Sequence, residues 1–208
     1  MATETFYNLR GEKQEAVMRS AIHEFVMHGF TRAKVSDIAR GACVAKGSMY
    51  QYFEDKEKLF VYCAKWSLDV FMKKLDVRMD IGSKDVFEYL EDSSGVHDIL
   101  QEEHELAKFM LVALNEPGLL DKATKAMYDI GNVYMKKLIQ NGVVMGVVRK
   151  DIDIDLLVTY LSAMTDRFNQ RWLRLYVDID SEVDIEMAQA KENEKKQMIE
   201  LLKKGMGC

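Results

Sequence analysis

Proline is almost missing from this chain, with one residue, Pro117, in 208, beside only 12 glycines. That scarcity removes the usual breakers of regular structure, and with Glu, Lys, Leu, Met and Ala abundant it predicts a mostly helical protein rather than a turn-rich β fold. Cysteine is also sparse: Cys43, Cys63 and Cys208 show no paired spacing, so no disulfide framework is expected. The four histidines are scattered. His97 and His104 lie seven apart, but no carboxylate or cysteine stands at ligand spacing, so neither a metal nor a cofactor is expected. No spaced Ser/His/Asp, Cys/His or paired-carboxylate signature is present, which argues against an enzyme. Apolar runs never approach the roughly 18 residues of a membrane span, and no apolar stretch precedes a cleavage-like site at the start, so a cytoplasmic location is expected.

What the chain does contain is 48% hydrophobic residues, enough for a sizeable core, and a net charge of -5. The charge is uneven. Residues 1–66 carry ten Lys and Arg against eight Asp and Glu, net +2, while the remainder carries 19 against 26, net -7. The front of the chain is therefore where a polyanion would be met.

Within that basic part, Val17, Ala21 and Phe25 run beside Met18, Ile22 and Val26, predicting a helix over 10–28 that ends at Gly29. Ser36 is placed to cap a short helix bearing Ile38, Ala39 and Ala42. A tight turn through Cys43 and Val44 leads to a second short helix from Lys46 to Phe53. Two helices joined by a turn of roughly 3–4 residues form a helix-turn-helix, whose second helix enters the major groove. Met49 and Phe53, four residues apart, face inward; Lys46, Gly47, Ser48, Tyr50 and Tyr52 are left outside. Lysine supplies charge to phosphate, glycine permits close backbone approach, and the hydroxyls reach phosphates or base edges. Lys56, opening the next helix, could hold a further phosphate.

This segment resembles the DNA-binding domain of the TetR family, the tetracycline-repressor-like regulators. The matching residues are Thr31, Asp37-Ile38-Ala39, Ala42, Val44, Lys46-Gly47, Tyr50, Tyr52-Phe53, Lys56-Glu57 and Leu59-Phe60. Cys43 departs from the family's usual turn glycine; at positive φ it would cost roughly 1 kcal/mol more than glycine. The resemblance implies an all-α protein with a helix-turn-helix head over 1–55 and an effector-binding, dimerising body over 56–208. The candidate DNA-binding set is Thr31, Ser36, Lys46, Gly47, Ser48, Tyr50, Gln51, Tyr52 and Lys56.

Farther along, a helix from Lys56 to about Leu75, a short helix between Asp80 and Gly95, one over 96–114 and one from Leu120 are predicted. The stretch from Asn141 to Asp153 resembles a recurrent turn of the family, with Gly142, Gly146, Arg149, Asp151 and Asp153. Two long helices, 154–176 and 182–204, close the chain. In the family such a pair forms a four-helix bundle across a two-fold axis, which implies a homodimer; packing of their apolar rows within one chain is the alternative. Met110, Met127, Tyr134, Met164, Phe168 and Trp172 are candidates to line an adaptable effector pocket, or else ordinary core. Asp166, Arg167, Asn169 and Arg171 are possible polar groups of that pocket. The resulting expectation is a repressor released from a palindromic operator by a small hydrophobic or cationic molecule. The alternatives are a helical enzyme or binding protein that ignores DNA, or an activator with no small effector.

Overall fold

Five side chains with no solvent exposure, Val17, Met18, Ala21, Ile22 and Phe25, make one stripe along a helix over Gly11–Arg32, and that stripe organises the front of the molecule. The computed structural model describes residues 2–92, 94–178 and 185–208, with the side chains at 94, 97, 173–178 and 185–188 outside the description. The described residues are overwhelmingly helical, as the scarcity of breakers predicts. In chain order the helices are α1 (Glu4–Tyr7), α2 (Gly11–Arg32), α3 (Val35–Gly41), α4 (Lys46–Tyr52), α5 (Lys56–Met79), α6 (Val86–Glu91), α7 (Ser94–Glu102), α8 (His104–Ala113), α9 (Leu120–Met145), α10 (Ile154–Asp178) and α11 (Ile185–Met206). The chain divides into two units, one of residues 1–70 and 103–129, the other of 71–102 and 130–208. A boundary after residue 55, as read from sequence, therefore falls inside the first unit.

In unit 1, α2 is interrupted at Gly29, whose φ of 67° and ψ of 169° only glycine adopts without strain, and one further turn follows to Arg32. Phe25, Phe60 and Phe109 form the centre of the core, with centroids 5.0 Å (Phe25–Phe60), 5.1 Å (Phe60–Phe109) and 5.9 Å (Phe25–Phe109) apart. The helix expected over 96–114 is split in two at Glu103, where φ is -112° and ψ 38°. The reason is electrostatic: the Glu103 carboxylate, 6% exposed, accepts bonds from both terminal nitrogens of Arg19 at 2.9 and 3.2 Å. A fork-shaped, charge-assisted pair of this kind outweighs one turn of helix continuity. Arg19 also lies 5.8 Å from the Trp66 ring centroid.

In unit 2, α6 starts with a full capping box, Asp85 accepting from the amides of Phe87 and Glu88 while Glu88 reaches back to the Asp85 amide. Glu102 closes α7 by pairing with Lys74 and Arg78 of α5. The turn expected from Asn141 begins five residues later, because α9 continues through Gly142 to Met145. Gly142 is a packing glycine: a Cβ there would stand 2.6 Å from a Val148 methyl. The reversal occurs at Gly146, φ 76°, and the Gly142 carbonyl accepts from the amides of Val147 and Val148. Asp153 then caps α10 through the Leu156 amide at 3.0 Å. Leu157, Leu161 and Trp172 of α10 and Met198 and Leu202 of α11 are buried within their own chain. Leu175 and Met187 have side chains outside the description.

Candidate nucleic-acid interface

The four residues Ala42–Ala45 join α3 to α4, so the helix-turn-helix spacing is present. Its turn is made by Cys43, with φ at 52°, in the left-handed region. Reversal there lets the Cys43 amide donate to Arg40 and the Val44 amide to Ala39, which ends α3. The thiol is exposed. Several bonds hold this element on α2. The Ser20 hydroxyl donates to the Ile38 carbonyl at 2.8 Å, and Gly41 lies so close to Ser20 that a side chain there would collide with the hydroxyl. The Lys13 ammonium donates to the carbonyls of Ala42 at 3.1 Å and Cys43 at 2.9 Å.

On α4, Lys46, Gly47, Tyr50 and Gln51 are exposed and Ser48 is half-buried, while Met49 and Phe53 lie in the core. Tyr50 leaves 52% of its surface open. Nothing lies within 4 Å of the place a Cβ would take on Gly47, so the backbone itself is accessible. Tyr52 differs from expectation: it is 7% exposed, with its ring edge-on to Phe6 at 6.0 Å. Three residues after Met49, it shares the buried side of the helix, and Phe6 of α1 supplies an apolar partner that the local pattern does not reveal. Ser36 differs too. Lys34 occupies the cap position of α3 and no side chain caps the helix, so Ser36 stands half-buried in the first turn. The Lys34 amide is instead bound by the carboxylate of Glu24 at 3.0 Å.

Lys56 is half-buried, and its ammonium donates to the carbonyls of Thr31 at 3.2 Å and Ala33 at 3.1 Å while lying 4.7 Å from the Phe30 ring centroid. It neutralises the carboxyl end of α2, a role distinct from the phosphate contact expected of it. Thr31 is exposed beside that junction. Thr3, Phe6 and Lys13 carry no motif of their own, and sequence reasoning passed over them. The one signal was the aromatic pair Phe6-Tyr7 ahead of the first long helix.

The effector candidates separate. Met110 and Met127 are buried in unit 1; Tyr134, Met164 and Phe168 are half-buried and Trp172 buried in unit 2. Phe168 and Trp172 stand 6.2 Å apart. The Trp172 indole nitrogen is buried without a hydrogen-bond acceptor among the described residues. Arg167 and Asn169 are exposed, Asp166 is half-buried, and Arg171 pairs with Glu194 at 3.1 Å. No helix of the described residues is long and apolar enough to cross a membrane.

An exposed short helix carrying a lysine, a bare glycine and hydroxyls, held by a tight turn against a helical core, defines a helix-turn-helix DNA-binding protein. The sequence model of the bacterial regulatory proteins of the tetR family matches residues 17–63, the segment that contains this element. The HTH-type transcriptional repressor AcnR of Corynebacterium diphtheriae is 23% identical over 159 residues, which are 76% of this chain and 80% of that protein. Among solved structures, the fatty acid degradation regulator FadR from Bacillus halodurans is similar with a TM-score of 0.64 and 22% identity, over 92% of this chain and 98% of that one. FadR from Bacillus subtilis, solved in complex with stearoyl-CoA, is similar with a TM-score of 0.65 and 21% identity, over the same shares. Residues 17–63 are thus a DNA-binding domain of the kind found in the bacterial regulatory proteins of the tetR family, and the chain as a whole is similar to such regulators.

Proposed function

We propose that this protein is a ligand-responsive repressor that binds a palindromic operator as a homodimer and leaves it when a small, largely apolar molecule binds the body. Residues 1–55 make the DNA contacts and 56–208 provide effector binding and dimerisation. The observation that carries the DNA part is the open face of α4, where Lys46, Gly47, Ser48, Tyr50 and Gln51 remain accessible while Met49 and Tyr52 anchor the helix. Lys46 meets a phosphate; Tyr50, Gln51 and Ser48 reach base edges or backbone. Thr31 and Lys56 lie at the adjoining helix junction.

Dimerisation through α10 and α11 is supported by apolar side chains left open on both: Leu156 is 60%, Tyr160 45% and Leu201 61% exposed. Apolar surface of this kind favours a self-complementary contact across a two-fold axis. Two copies of α4 so related meet successive major grooves roughly 34–36 Å apart. The effector acts by its differential affinity for two dimer states, which sets the limit to how far it weakens DNA binding. An effector with a large apolar part is supported by the Met and aromatic side chains of the body and by the stearoyl chain of the stearoyl-CoA in complex with the B. subtilis neighbour. The protein works in the cytoplasm, by binding and without catalysis.

Selection of bound sequences from random duplex DNA tests this reading. A palindrome with half-sites one helical turn apart is expected; recovery of no common sequence would refute it. Compounds that raise the melting temperature then identify the effector class.

A further inference from the structure

Residues 2–16 precede the part of the chain that the tetR-family model matches, yet they hold the recognition element at both ends. At the far end of α4, the Thr3 amide donates to the Tyr52 carbonyl at 3.0 Å and the Thr3 hydroxyl to the Gln51 carbonyl at 2.6 Å. These carbonyls belong to the last turn, which has no donors of its own. Phe6, fully buried, secures the contact with ring centroids 6.0 Å from Tyr52, 5.0 Å from Phe53 and 5.6 Å from Tyr62. At the near end, Lys13 binds the carbonyls of Ala42 and Cys43, the two residues that make the reversal. A helix of seven residues does not persist by its own bonds, so its position is set by what grips its ends.

We propose that residues 2–13 form a clamp that fixes the pitch and position of α4, making Thr3 and Lys13 positioning residues for sequence-specific DNA recognition. The proposal rests on the DNA-binding reading above. Base readout requires side chains held in one geometry, whereas attraction to phosphates tolerates misalignment. Apparent affinity for the operator falls in proportion to the fraction of molecules with α4 correctly placed. Loosening the clamp therefore lowers specific binding and spares non-specific binding.

The test uses the full chain, the palindromic duplex selected by the parent protein, and a scrambled duplex of equal length. Thr3→Val with Lys13→Met is expected to weaken operator binding about tenfold, leave scrambled-duplex binding within about twofold, and keep the salt slope. Thr3→Ser is expected to behave as the parent. Without DNA, amide hydrogen exchange of Met49–Phe53 is expected to quicken in Thr3→Val while the Phe25–Phe60–Phe109 core keeps its protection. Parallel loss of both affinities, an unchanged ratio of the two, or unchanged exchange in α4 would overturn the clamp. A salt slope smaller by about one would also overturn it, since Lys13 would then be a phosphate contact. Failure of the parent to select any sequence defeats the DNA-binding reading itself and is seen before any variant is made.

Discussion

Gly47→Ala should move stability and DNA affinity in opposite directions. Gly47 is the second residue of α4, its φ is not positive, and a methyl group there meets no other atom within 4 Å. Nothing inside the protein requires glycine. Alanine restricts the unfolded chain and suits a helix, so the fold should gain about 0.4–1 kcal/mol. For chains of 150–250 residues each kcal/mol shifts the melting temperature by about 2–4 °C, giving an expected rise of about 1–4 °C. Against DNA the same methyl stands where the helix backbone would approach the duplex. Holding the helix off even slightly lengthens the contacts of Lys46, Ser48 and Tyr50 together, and a loss of tenfold or more, about 1.4 kcal/mol, is expected. Melting curves and anisotropy titrations of the selected duplex at several salt concentrations measure both effects. The salt slope should stay constant because no charge changes. A more stable variant that binds as the parent does would refute close backbone approach at this position.

Lys46→Ala should weaken binding to all duplexes and reduce the salt slope by roughly one, whereas Tyr50→Ala should act mainly on the selected sequence; unaltered gel-shift titrations would remove both residues from the interface. Arg19→Met leaves the buried Glu103 carboxylate without its fork, and since Arg19 is itself 40% exposed the expected loss is about 2–3 kcal/mol, below the range for fully buried pairs. Adding Glu103→Met should recover much of it, and a double-mutant cycle with no coupling would contradict the ion pair's role. Lys191 is the pH probe. Burial, with the nearby Lys195 charge adding to it and Glu192 opposing, pushes its amine from the usual range down to about 8. Its folded-state value thus lies below its unfolded one, so the penalty for burying the ammonium is present in full below pH 8 and is relieved as pH rises through 8 toward the unfolded value. Compared with Lys191→Met, the parent should gain stability between about pH 8 and 9.5, and a pH-independent difference in denaturant midpoints would refute the shift.

Much of this fold was legible because its determinants are local. The Val17–Met18–Ala21–Ile22–Phe25 stripe, the turn at Cys43 and the inward pair Met49 and Phe53 are each set by residues within a few positions of one another. At Tyr52 and Glu103 a partner distant in sequence intervenes. Tyr52 turns inward because Phe6 meets it from 46 positions away, whereas Ser36 loses the cap locally, because α3 starts one residue ahead of it and the Asp37 and Ile38 amides donate to the Lys34 carbonyl. Glu103 breaks a well-patterned helix because Arg19, 84 positions away, offers two donors to one carboxylate.

The break at Glu103 has a plain physical cause. Helical propensities differ by a few tenths of a kcal/mol per residue, while a charge-assisted hydrogen bond contributes about 1.5–3, so one long-range bond can overrule several local preferences. In unit 1 such bonds converge on the helix-turn-helix: Lys13 at the turn, Ser20 on α3, Lys56 at the carboxyl end of α2 and Thr3 at the end of α4. Each donates to a backbone carbonyl, a group that every residue type carries. Such acceptors leave no trace in the sequence, so the exposed residues of α4 could be read from it, but the distant residues that hold the helix could not.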